Sequence, residues 1–144
     1  MSSLLICAEQ GLGDQIQFAR YAAILKARGV QVTLMCAPPL ARLFQHLGVT
    51  VIATEGEITI PRHDAWAMAG DLPWRMGTTI ETIPAEPYLP GKPGGAGIGV
   101  VTQGNPGHTK QAVRSLDPDA EAALLAPPGA VSLHPADSGA GDLE

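Results

Sequence analysis

The stretch Ser3-Leu4-Leu5-Ile6-Cys7-Ala8-Glu9-Gln10-Gly11-Leu12-Gly13-Asp14 opens on a short apolar run and closes on a turn with two glycines. The run has the length of a buried strand. Beyond the turn, the spacing predicts a helix to about Arg28, with Asp14 as its cap. Ile16, Ala19, Ala23 and Ala27 fall near one face of that helix, flanked by Ala22 and Leu25. Gly29 stops it, with Lys26 and Arg28 in the last turn, where the helix dipole favours cations. Val30–Cys36 then reads as a second strand. Pro38-Pro39 open a second helix carrying Leu40, Leu43, Phe44 and Leu47 on one side, and Gly48 ends it. Val49–Ala53 is a third strand. Strand and helix alternating at this spacing imply parallel strands joined by right-handed crossovers, half of a doubly wound sheet. The fold class is therefore α/β, with a Rossmann-like parallel sheet.

Further along, Glu55–His63 is too short and too polar for a good helix. Asp64–Ala69 predicts a fourth strand with Trp66 in the core. Gly70–Gly77 predicts a loop in which Trp74 and Arg75 line a cleft. Thr78-Thr79-Ile80-Glu81 fits a capping box opening a short helix that Pro84 and Pro87 end. The chain carries 17 glycines and 13 prolines, and more than half of these follow residue 90. The shift falls at Pro90-Gly91-Lys92-Pro93-Gly94-Gly95-Ala96-Gly97, which suits neither a helix nor a central strand. Residues 1–90 thus read as one domain, 91–97 as a linker and 98–144 as a second, incomplete unit. In that unit Gly97–Val101 is a strand, a helix capped by Asp117 or Asp119 runs to Leu125, and Ala130–His134 is another strand. One strand–helix–strand is too small to bury both faces of its strands, so the expectation is a truncated start of a second Rossmann-like unit.

Composition narrows the function. The 144 residues are 45% apolar and 16% charged, with a net charge of −5, which fits a folded protein and disfavours nucleic acid as a partner. Two cysteines, Cys7 and Cys36, with no Cys-x-x-Cys pair, fit a reducing compartment and no cysteine-based zinc site. No apolar run approaches the length of a membrane span, and no basic segment precedes the first apolar run as in a signal peptide. A cytoplasmic location is expected.

The Gly11-Leu12-Gly13-Asp14 turn carries the chemistry, and it reads two ways. It is either a tight turn with a helix cap, or a ligand-binding turn at the carboxyl end of the sheet, where open parallel sheets bind their ligands. A dinucleotide fingerprint is not met. Ile16 stands where its third glycine belongs, and Cys36-Ala37-Pro38 occupies the place of the acidic residue after the second strand. Glu9 is the second acidic candidate beside the turn. His46 reads as a surface residue and His63 as a loop cap. His134, near Asp137, has no nucleophilic serine in a strained turn to complete a triad.

Ala8-Glu9-Gln10-Gly11-Leu12-Gly13-Asp14-Gln15-Ile16-Gln17-Phe18-Ala19-Arg20-Tyr21 resembles the start of the glycosyltransferase-like domain of bacterial tetratricopeptide-repeat proteins, which is similar to the lipopolysaccharide heptosyltransferases. Two further segments resemble the same family in the same order. These are residues 77–86 with Pro87-Tyr88-Leu89, and Gly104-Asn105-Pro106-Gly107-His108 with Arg114-Ser115. The resemblance implies a GT-B fold, two Rossmann-like halves facing across a cleft, the first for the acceptor and the second for the donor. It implies a nucleotide-sugar donor, a hydroxyl acceptor, and neither metal nor other cofactor. Asp14 would be the general base that takes the acceptor's proton. Gly11, Gly13 and Gln15 would approach the substrate, as would Asn105 and His108 in the third segment. Lys110 and Arg114 would meet the diphosphate.

The family's second half continues past Glu144, so the resemblance implies a fragment with no useful turnover alone. Two other readings stand beside it. One is a non-catalytic interaction module, a homo-oligomer assembled through exposed sheet edges. The other is a dinucleotide-dependent oxidoreductase.

Overall fold

A computed structural model describes residues 2–9, 11–91, 97–104, 113 and 115–133. The chain divides into two compact units, Met1–Gly91 and Lys92–Glu144. In the first, β1 (Ser3–Cys7) leads into α1 (Leu12–Ala27) and β2 (Gln31–Cys36). A broken helix follows: a 3-10 turn Pro38–Leu40, α2 (Ala41–Phe44) and a second 3-10 turn Gln45–Leu47. Next come β3 (Thr50–Ala53), β4 (Ala65–Met68), a 3-10 turn Ala69–Asp71, α3 (Leu72–Arg75) and a 3-10 turn Ile80–Thr82. The four strands form one parallel sheet in the order β3-β2-β1-β4. This is an α/β architecture with a Rossmann-like sheet.

Strand alternation decides the core. Leu4 and Ile6 of β1, Val32, Leu34 and Cys36 of β2 and Ala67 of β4 are buried together with Ala19, Ala22 and Leu25 of α1 and with Phe44 and Leu47. The buried stripe of α1 runs through Ala19, Tyr21, Ala22 and Leu25, while Ala27 is exposed. Helical spacing alone centres that stripe too close to Ala27, because it counts small alanines as heavily as the larger Tyr21 and Leu25. Pro38-Pro39 start the second helix as expected, but it stays short and turns to 3-10 geometry at both ends. Gly48, at φ +64°, ends it in the left-handed region.

The chain reaches β4 from β3 by crossing back over the sheet through residues 54–64 without a helix. His63 marks the crossing: its Nε2 lies 2.8 Å from the hydroxyl of Thr33, a buried polar residue of β2. Asp64 then fixes the start of β4. Its Oδ2 accepts from the Ser2 amide at 2.7 Å, the Ser2 hydroxyl at 2.6 Å and the Ser3 amide at 2.9 Å. These hydrogen bonds, the Ser2 hydroxyl first, lower the Asp64 carboxyl to about 2.

Four expectations are corrected. Trp66 is not core: among the described residues β4 pairs only with β1, and on this edge strand the ring is 68% exposed. Residues 70–77 are not a plain loop but hold a 3-10 turn and α3. The capping box is one residue later, with Thr79 and Thr82 as the reciprocal pair, and it opens only a single 3-10 turn. Asp14 does not cap α1, because Gly11 takes the N-cap position and no side chain bonds there.

The second unit is described by itself. β5 (Ile98–Val100) and β6 (Ala130–Ser132) pair in parallel, with α4 (Pro118–Leu125) between them in sequence. Asp117 caps α4, its Oδ1 accepting from the Ala120 amide at 2.9 Å, and Pro118 occupies the first turn. Thr102, the buried polar residue here, donates its hydroxyl to Glu121 of α4. No helix among the described residues is long and apolar enough to cross a membrane.

Candidate functional site

The carboxyl end of the first sheet brings Glu9, Gly11, Gly13, Asp14 and Gln15 together. β1 ends at Cys7 and α1 begins at Leu12, so the step from strand to helix is short. Gly11 is extended at φ −60° and ψ 172°, and the helix amides that follow it lack intrahelical acceptors. A Cβ on Gly11 would stand 3.5 Å from Asp14 Oδ2, whereas a Cβ on Gly13 would meet nothing within 4 Å. The open ground is therefore above Gly13.

Asp14 lies in the first turn of α1 and is exposed, and its carboxylate makes no hydrogen bond or ion pair to another described residue. An anionic group there is favoured by the helix dipole without any cap bond. Gln15 turns the other way. Its Oε1 accepts the Ala37 amide at 2.8 Å and so ties α1 to the end of β2. Glu9 sits against the 3-10 turn that follows β4: its Oε1 lies 3.3 Å from where a Cβ on Gly70 would be, with the Phe18 ring 3.9 Å from the same point. Gly70 thus leaves room for a carboxylate and a ring at the strand ends.

Asn105, His108, Lys110 and Arg114 lie outside the described residues, as does His134. Trp74 is 80% exposed on α3, and Arg75 pairs with Asp71 at 3.6 Å, both groups half-exposed. His46 is exposed. Burial pushes the thiols of Cys7 and Cys36 up, so neither is a thiolate near neutral pH. Among the described residues no group of three or more His, Cys, Asp or Glu is placed to hold a metal ion.

One feature of the site is invisible to local sequence pattern. Residues 77–89 lie as a strap along α1, held at three points. The Tyr21 hydroxyl donates to Thr78 Oγ1 at 3.1 Å, Arg20 donates from Nη1 to the Pro84 carbonyl at 2.5 Å, and the Tyr88 hydroxyl donates to the Ile16 carbonyl at 2.6 Å. The Arg20 guanidinium also lies 5.0 Å from the centre of the Tyr88 ring. Between strap and helix opens a cleft of about 370 Å³ that includes Phe18, Arg20, Pro73, Ile80 and Ile83 in its lining. Phe18 is common to this cleft and to the surroundings of Glu9. The signal available beforehand was the aromatic and basic pair Arg20-Tyr21 together with Tyr88, three residues that pattern alone assigns to no partner.

Comparison of the chain with protein-family models, with curated proteins and with solved structures finds no match. Fold and site define an α/β protein with a Rossmann-like sheet and two carboxylates at its carboxyl edge.

Proposed function

We propose that residues 1–91 are the acceptor-side half of a glycosyl-transfer domain and that Asp14 is its general base. In the reaction the acceptor hydroxyl gives its proton to the Asp14 carboxylate as its oxygen bonds the anomeric carbon. The bond from that carbon to the nucleoside diphosphate breaks, and the diphosphate leaves with the electron pair. Carrying this reading is an exposed carboxylate, with no described partner, on the first turn of the helix after β1, beside a glycine with open space above it. The resemblance of residues 8–21 and 77–89 supports it, and so does the contact of those two segments through Arg20, Tyr21 and Tyr88. The nucleotide-sugar donor belongs in this reading to the second half, with Asn105, His108, Lys110 and Arg114.

Titration of the 144-residue chain with hydroxyl-rich saccharides, followed by amide NMR, tests it. Shifts centred on Gly11, Gly13 and Asp14, weakened in Asp14→Asn, are the expected result. Shifts confined to other surfaces, or none across the saccharides, would sink it.

A second reading rests on a different observation. β4 is a sheet edge among the described residues and carries Trp66 largely in solvent, with Trp74 close by in sequence. Exposed edges with large apolar side chains favour pairing with another strand. We therefore also propose a homo-oligomer joined through β4. Sedimentation should show mass rising with concentration and falling back to one chain in Trp66→Lys; a single chain at every concentration rules it out.

A further inference from the structure

We propose that the cleft between α1 and the strap is a binding site for a small anionic ligand with an apolar body, a carboxylate or phosphate on a ring or short alkyl group, and that Arg20 is its anion contact. The site stands on the cleft and on Arg20, and does not depend on the role given to Asp14.

The cleft is open to solvent and has a volume of about 370 Å³, within the size range of small-molecule pockets and near its lower end. Its walls are mostly apolar. Phe18 and Pro73 form one part, and Ile80 and Ile83 stand at the rim, 86% and 54% exposed. Two large aliphatic side chains held in water at the mouth of one cavity favour an apolar cover.

Arg20 supplies the charge. It donates from Nε to the Gln17 carbonyl at 2.8 Å and from Nη1 to the Pro84 carbonyl at 2.5 Å, and it packs against Tyr88. The guanidinium is thus oriented by two backbone oxygens and a ring before any ligand arrives. A guanidinium has five N–H donors, so three remain without an acceptor among the described residues, and no described carboxylate pairs with it. Arg75 differs, since it already pairs with Asp71. A fixed, planar, uncompensated cation beside apolar walls recognises a carboxylate or phosphate by charge-assisted hydrogen bonds, and a neutral hydroxyl poorly. In a chain of net charge −5, a site for an anion has to be local in this way.

The test is methyl and Arg Nε–H NMR of the whole chain titrated with phenylacetate, phenyl phosphate and 2-phenylethanol. Ile80 and Ile83 methyl signals and the Arg20 Nε–H signal should shift with at least one of the two anions. The better anion should bind about tenfold or more tightly than the alcohol, the factor that one charge-assisted hydrogen bond contributes. The relative affinity of the two anions identifies the headgroup. Ile80→Glu changes an exposed position and should weaken the anion about tenfold while leaving the circular dichroism spectrum unchanged. Arg20→Lys, which keeps the charge and loses the fork, should weaken it less than Arg20→Gln. Equal affinity for alcohol and anions, or shifts that avoid Ile80 and Ile83, or none with either anion, overturns the proposal.

Discussion

Asp64 shows how much one exposed carboxylate can organise. Three donors from Ser2 and Ser3 converge on one oxygen and join the first strand's start to the fourth's. Its ionised form is the bonded form, so its folded value, about 2, lies below the ordinary 3.8. The stability it contributes is fully present above pH 3.8 and is lost as pH falls through about 2. Asp64→Asn should lower the melting temperature at pH 6 and narrow the gap from wild type between pH 4 and pH 2, as scanning calorimetry across that window would show. Tyr88→Phe isolates another single bond. It keeps the ring beside Arg20 and removes the hydroxyl that donates to Ile16, for a cost of about 1 kcal/mol in urea unfolding. Asp14→Asn should cost folding no more than that. It makes no cap bond, so only the dipole contribution is lost, about 0.3–1 kcal/mol, and salt should reduce that difference.

At the scale of elements, α1 links the rest of its unit. It covers the sheet with Ala19, Ala22 and Leu25, reaches β2 through Gln15 and holds the strap through Ile16, Arg20 and Tyr21. The broken helix after β2 depends instead on one large side chain, Phe44, which is fully buried. Phe44→Ala should cost about 3–5 kcal/mol, read from chemical denaturation, because an emptied aromatic site collapses poorly. The strands and α1 were legible because their periodicity and glycine stops are local properties of the chain. Trp66 was not, since whether a strand is central or at an edge depends on pairings made far along the sequence. The same reason hid the strap. Arg20 and Tyr88 are 68 residues apart, and nothing in either segment names the other. Asp14 was placed at the correct end of the correct helix, but as a cap, because an acidic residue two positions into a helix and one at its cap look alike in sequence.

At the scale of the molecule, the buried apolar cluster is confined to residues 4–72, and beyond residue 91 Thr102 is the buried residue among those described. Residues 1–91 made alone should therefore keep far-ultraviolet dichroism typical of an α/β protein and unfold in one cooperative step; loss of that step would show that the second unit supports the first. Both cysteines also lie in the first unit, and their settings differ. Cys36 has no exposed surface at the end of β2, while Cys7 is only partly covered at the end of β1. A disulfide reagent therefore meets Cys7 sooner, and Cys36 only when the sheet separates from its helices. The slower of the two labelling rates is a built-in clock for opening of that unit, readable by mass without any added probe.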